Sequence, residues 1–88
     1  MENIYYNIKL YREVDNKVRY YSFKIYPTLF GEYLLIREYG GVKNKSATRV
    51  VKQYYSDLKD AVGAGKQLYE KKYKKGYRVL NKLSRVEL

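Results

Sequence analysis

The chain contains no cysteine and no histidine. Their absence excludes a disulfide framework, a Cys/His zinc site and a Cys–His nucleophile pair. It also removes the side chain that most often serves as a base near neutral pH. The nine Asp and Glu residues are scattered, and no two have a spacing that suits shared acid–base work. No run approaches the ~20 apolar residues of a membrane span, and no apolar stretch follows a basic start. The chain is therefore expected to be soluble and cytoplasmic, with no catalytic residue, no metal ligand and no cofactor. No enzyme activity is expected.

What remains is short, aromatic and basic. Eighty-eight residues suit one domain over 1–88, and a chain of this size buries only roughly 60–65% of the surface its unfolded form exposes. Hydrophobic residues make up 45% of it, enough for one packed core. The net charge is +10 and is unevenly placed. Residues 1–40 carry 6 basic and 5 acidic side chains, whereas residues 41–88 carry 13 and 4. An AT-rich coding sequence would by itself favour Lys over Arg and supply many of the 13 tyrosines, but it would not deplete acids in one half only. Cations concentrated in this way repel one another, and an anionic partner is their usual use.

Residue periodicity predicts an α+β domain. Ile4, Tyr6, Ile8, Leu10 and Arg12 alternate through a strand ending near Val14, Asp15-Asn16 supplies turn chemistry, and Tyr21, Phe23 and Ile25 alternate through a second strand. Pro27 ends that strand because it lacks a backbone N–H. Leu29 and Phe30 are expected to fold back onto the core. A third strand covers Tyr33 to Tyr39, with Gly40-Gly41 as a turn permitting positive φ and close backbone approach. A solvated loop around Lys43 to Ser46 leads to a fourth strand over Ala47–Tyr55.

Ser56 or Asp57 can cap a helix in which Leu58, Ala61, Val62, Gly65, Leu68, Tyr69 and Tyr73 recur at three- and four-residue spacing. Gly63 and Gly65 each weaken helix propensity by about 0.8–1 kcal/mol relative to Ala, and close packing on the sheet is expected to compensate. Gly63-Ala64-Gly65-Lys66 shares glycine and lysine with a phosphate loop, but it lacks the glycine spacing and the Ser/Thr after the lysine. Lysines at 71, 72, 74 and 75 crowd the helix end, Gly76 suits a left-handed C′ position, and Tyr77-Arg78-Val79 reads as a short last strand. Asn81 to Leu88 fits no single element. The sum is an antiparallel sheet of about 4–5 strands with one long helix packed on it.

Arg19-Tyr20-Tyr21 with Ile25, followed by Leu29-Phe30-Gly31-Glu32-Tyr33-Leu34-Leu35-Ile36-Arg37-Glu38-Tyr39-Gly40-Gly41-Val42, resembles bacterial WGR domains. Ser46-Ala47-Thr48-Arg49, Leu58 through Ala61, and Lys75-Gly76-Tyr77 continue the likeness in register, over about residues 17–79. The resemblance implies a sheet-plus-helix module that binds DNA, as in some poly(ADP-ribose) polymerases and small bacterial proteins. The family's tryptophan falls on Tyr39 and its arginine on Gly41. A tyrosine can still stack on a terminal nucleotide. A glycine cannot make the arginine's interdomain contact, so the polymerase-type relay is not expected.

Cations and flat side chains after residue 36 form the candidate interface: Arg37, Tyr39, Lys43, Lys45, Arg49, Lys52, Lys75 and Tyr77, with Gly40 and Gly41 as turn glycines. Cations neutralise phosphates, and aromatics stack on unpaired or terminal bases. The expected partner is nucleic acid, DNA favoured over RNA, at ends, nicks or single-strand junctions. The alternative is an acidic protein docked on the same basic surface. A membrane is not expected to be the partner, since the helix's apolar stripe is committed to the sheet.

Overall fold

Alternation of apolar and polar side chains builds β1 (Tyr6–Val14) and β2 (Lys17–Pro27), which pair antiparallel from Val14↔Lys17 to Tyr6↔Ile25. The structure is a computed structural model and describes residues 6–43 and 47–79. The expected strand start at Ile4 and the segment from Asn81 to Leu88 lie outside the described residues. Asp15 and Asn16, with φ of 53° and 65°, form the two-residue connection. Positive φ at both positions matches the twist of the flanking strands, and Asp and Asn tolerate it better than other non-glycine residues.

β3 (Tyr33–Gly41) pairs with β2 along its whole length, and β4 (Arg49–Tyr55) pairs with β3 from Tyr33↔Tyr55 to Tyr39↔Arg49. α1 (Leu58–Lys74) then crosses from the β4 side to the far edge, where β5 (Arg78–Val79) pairs with β1. The result is a five-stranded antiparallel sheet of order β4-β3-β2-β1-β5 with one helix on one face.

The helix-side face supplies the core. Leu10, Phe23, Ile25 and Leu35 are fully buried beneath Ala61 and Gly65. Each large apolar side chain removed from water contributes about 1.5–3 kcal/mol. Small residues at 61 and 65 let the helix approach closely: a Cβ on Gly65 would lie 2.9 Å from the Tyr6 ring. Burial beside the helix pushes the Tyr6 hydroxyl above its ordinary pKa, with a smaller contribution from Tyr69.

Two ends of the helix are built differently. Asp57 holds the N-cap position with extended backbone but makes no side-chain capping hydrogen bond. At the other end Gly76 takes φ of +105°. Its N–H donates to the Tyr73 carbonyl at 3.0 Å, and the Tyr77 N–H donates to the Lys72 carbonyl at 3.0 Å. These are the paired bonds of a Schellman stop, which turns the chain sharply and seats Tyr77 back against the sheet.

Three expectations are corrected. Leu29 and Phe30 do not fold back; they are 99% and 87% exposed. Thr28 closes the connection on itself instead. Its Oγ1 accepts bonds from the Phe30 and Glu32 N–H groups at 3.2 and 3.1 Å, and its own N–H donates to the Glu32 carbonyl at 2.8 Å. Gly40 and Gly41 are not a turn but the last residues of β3, paired with Tyr20 and Arg19. Close approach does hold at Gly40, where a Cβ would meet the Thr48 backbone nitrogen at 2.8 Å. Finally, only Gly65 of the two helical glycines is required by packing, since a Cβ on Gly63 would meet nothing within 4 Å.

These environments separate two glycines of equal intrinsic cost. Gly63→Ala should raise the free energy of unfolding in urea by about 0.5–1 kcal/mol, as helix propensity alone dictates. Gly65→Leu should lower it by about 1–3 kcal/mol through overpacking against Tyr6. Equal effects at the two sites would contradict the packing described.

Candidate nucleic-acid interface

The cross-strand register sorts the expected site residues by face. On the helix side, Leu10, Tyr21, Tyr39 and Arg49 form one row across β1 to β4, and Arg12, Arg19 and Gly41 form the row beyond it. Neither row contains a carboxylate. The 17-residue helix, about 25 Å long, stops short of the far end of an 11-residue β2 that runs about 36 Å. The outer rows are therefore only partly covered.

Tyr39 lies half-buried with its ring stacked on Tyr21, centroids 4.9 Å apart and planes 17° from parallel. Tyr77 meets Tyr21 edge-on at 6.2 Å. The quadrupole of an aromatic ring favours such offset-stacked and T-shaped pairs. Tyr21 is thus the hub that fixes the orientation of both neighbours. Burial is the main cause that raises the Tyr21 hydroxyl above its ordinary pKa, although Arg37 nearby acts the other way. The hydroxyl stays neutral and donates or accepts hydrogen bonds at any physiological pH.

Cations surround this tyrosine cluster. Lys72 Nζ lies 4.2 Å from the Tyr21 centroid and 6.0 Å from that of Tyr77, whose ring also lies 6.0 Å from the Arg12 guanidinium. Arg37 shares the helix-side face with Phe23 and Val51, and its Nε is buried without a hydrogen-bond partner. Lys72 has its pKa lowered, first by burial and then by the positive charges of Lys75, Arg37 and Lys71. Arg12 and Arg19 stand directly opposite each other on β1 and β2. Like charges in that arrangement destabilise a sheet. A groove of about 350 Å³ lies beside this cluster, with Lys17, Arg19, Tyr39, Gly41 and Tyr77 in its walls.

Of the residues singled out in the sequence, Arg37, Tyr39, Arg49, Lys75 and Tyr77 come together at this end of the helix-side face. Lys43 follows β3 in the adjoining turn. Lys52 does not join them: it pairs with Ile36 and points from the opposite face. Lys45 lies outside the described residues. Sequence reasoning missed Arg12, Arg19, Tyr21 and Lys72, because only the β1–β2–β3 register and the helix stop bring them to Tyr39. Among the described residues no group of three or more His, Cys, Asp or Glu side chains could hold a metal. No helix among them is long and apolar enough to cross a membrane.

The family model described as the WGR domain matches residues 3–83, nearly the whole chain. The chain belongs to the WGR domain family. WGR domains are modules of the nucleic-acid-binding type. The chain is also similar to the uncharacterized protein y4dW of Sinorhizobium fredii, with 36% identity over 63 residues. That match covers 72% of this chain and 30% of the relative, so the chain spans about a third of the relative's length. No solved structure matches it. Tyr39 and Gly41, where the sequence resemblance sets the family's tryptophan and arginine, are both in β3, and Gly41 pairs with Arg19 on the neighbouring strand.

Lys72 gives this cluster a measurable cost. A lowered pKa means that the unfolded chain binds more protons than the folded one between the folded value and 10.5. The penalty is complete below that window and fades as pH rises through it. Lys72→Met should therefore be at least as stable as the wild type at neutral pH, with thioether packing on Tyr21 replacing the cation contact. Its advantage in urea midpoint should shrink as pH approaches 10. A variant destabilised at neutral pH would assign Lys72 a net structural role.

Proposed function

We propose that this WGR domain binds DNA at ends, nicks or single-strand junctions through the partly covered end of its helix-side face. The observation that carries this reading is the Arg12–Arg19 pair beside the Tyr39–Tyr21–Tyr77 cluster, where opposed cations have no carboxylate in their row. Phosphate anions would relieve that repulsion and release condensed counterions as they bind. Tyr39, stacked on Tyr21 by one face, keeps its ring in a fixed orientation at the groove. A preoriented ring loses little entropy when a terminal sugar or unpaired base stacks on it.

Each residue has a distinct role in this reading. Arg12, Arg19, Arg49, Lys72 and Lys75 neutralise phosphates. Arg37 sits beneath them and supports the local field. Arg19, opposite Gly41, supplies a guanidinium next to the position where the family has its arginine. That substitute serves contact with DNA, since it projects from β2 beside the groove. An acidic protein would meet the same cations and could use the tyrosines as interface anchors; membership of a family of the nucleic-acid-binding type favours DNA.

Fluorescence anisotropy with blunt, nicked and single-stranded oligonucleotides at two salt concentrations tests the proposal. With about five phosphates neutralised, log affinity should fall with log salt at a slope of about −4 to −5. Tyr39→Ala should weaken binding to nicked or single-stranded DNA by about 1–3 kcal/mol, and Tyr39→Phe should retain most of it. Arg19→Ala should reduce the slope by about one unit while Lys52→Ala leaves it unchanged. Salt-independent binding, or equal effects of Arg19→Ala and Lys52→Ala, would overturn the assignment of this face.

A further inference from the structure

The β2–β3 connection exposes two large apolar side chains on a turn pinned by its own hydrogen bonds. Leu29 is 99% exposed and Phe30 87%, while Thr28 holds the loop through bonds of 2.8 to 3.2 Å. A buried polar group or an exposed apolar patch is the informative departure from ordinary surface composition. The surroundings of this knob are acidic: Glu32 adjoins it, and Asp57 follows Tyr55, which pairs with Tyr33 at the same end of the sheet. Such charges disfavour a phosphate backbone at this pole.

The opposite pole carries the complement. Val18 and Val42, 43% and 47% exposed, line a groove of about 350 Å³ whose rim carries Lys17 and Lys43. The Val42 N–H donates to the Val18 carbonyl at 2.9 Å, which holds the two valines side by side. We infer that the Leu29–Phe30 knob of one copy docks in the Val18–Val42 groove of a second copy, with Glu32 meeting Lys17 and Lys43. Knob and groove stand at opposite ends of β2, roughly 30 Å apart at the strand rise, so no copy can fill its own groove. The contact is heterologous, and it propagates end to end unless the rotation closes a ring. The knob stands at the pole away from the DNA face, whereas its groove adjoins that face and shares Lys17, Val18 and Gly41 with the groove beside Tyr39. The contact itself needs no DNA, and nucleic-acid-free protein tests it.

A two-residue knob buries less than the roughly 1,200 Å² of a stable interface, so association is weak and appears at high concentration. Sedimentation velocity on nuclease-treated protein, from about 20 µM to about 1 mM, should show an apparent mass that climbs to at least about 1.5 times the monomer's. Leu29→Ser/Phe30→Ser and, separately, Val18→Ser/Val42→Asp should each remain monomeric throughout. Circular dichroism should show both folded, as expected for exposed positions. The decisive arm mixes the two variants: an intact knob meets an intact groove, so the mixture should form a 1:1 dimer that neither variant forms alone. A wild type monomeric at the highest concentration overturns the inference. So does a groove variant that still self-associates, which would mean knob-to-knob contact, or a mixture that fails to pair.

Discussion

The fold and its candidate site both depend on where α1 stops. A helix of 17 residues laid on a sheet whose central strand has 11 cannot cover every row. The Schellman bonds at Gly76 set the limit and pair the Lys72 and Tyr73 carbonyls. Beneath the covered rows lies an apolar core of Leu10, Phe23, Ile25 and Leu35. The row of Leu10 runs on through Tyr21 and Tyr39 to Arg49, and the next row carries Arg12 and Arg19. The helix end already buries Tyr21 and Tyr77 and leaves Tyr39 half-buried. Shortening the helix would remove Lys72 from Tyr21 and leave Tyr77 without its seat.

On the proposed reading, stability and binding pull apart at the same residues. Burial and neighbouring charge lower the pKa of Lys72, and Arg12 faces Arg19 across a ladder. Neither feature helps the isolated protein fold. Both make sense where an anion completes the arrangement, because phosphate then supplies the missing charge. The tyrosines serve both ends: stacked and edge-on contacts hold them rigid in the free protein, and that rigidity preorganises the Tyr39 ring.

Much of the architecture was legible in the residues. Alternation at Tyr21, Phe23 and Ile25 marked the central strand, Asp15-Asn16 marked the hairpin, and the Leu58-to-Tyr69 spacing with Gly76 marked the helix and its end. The site was only half legible. Arg49, Lys75 and Tyr77 could be singled out because they fall in the basic half, and Arg37 and Tyr39 because they lie on the strand that leads into it. Arg12 and Arg19 could not, since their meaning comes from pairing with each other and with Gly41. Lys52 looked equivalent to Arg49, yet three residues along a strand is an odd number and reverses the face. Leu29 and Phe30 suggested burial from hydrophobicity, but the local hydrogen bonds of Thr28 outweighed that tendency.

The central claim is that nucleic acid engages the partly covered end of the helix-side face. Backbone amide chemical-shift mapping during titration with a nicked duplex tests it most directly. The account predicts that the perturbed amides cluster around Arg12, Arg19, Tyr39, Arg49 and Tyr77, with Lys24, Lys52 and Tyr54 on the opposite face unmoved. Perturbation centred on Lys24, Lys52 and Tyr54 would contradict it.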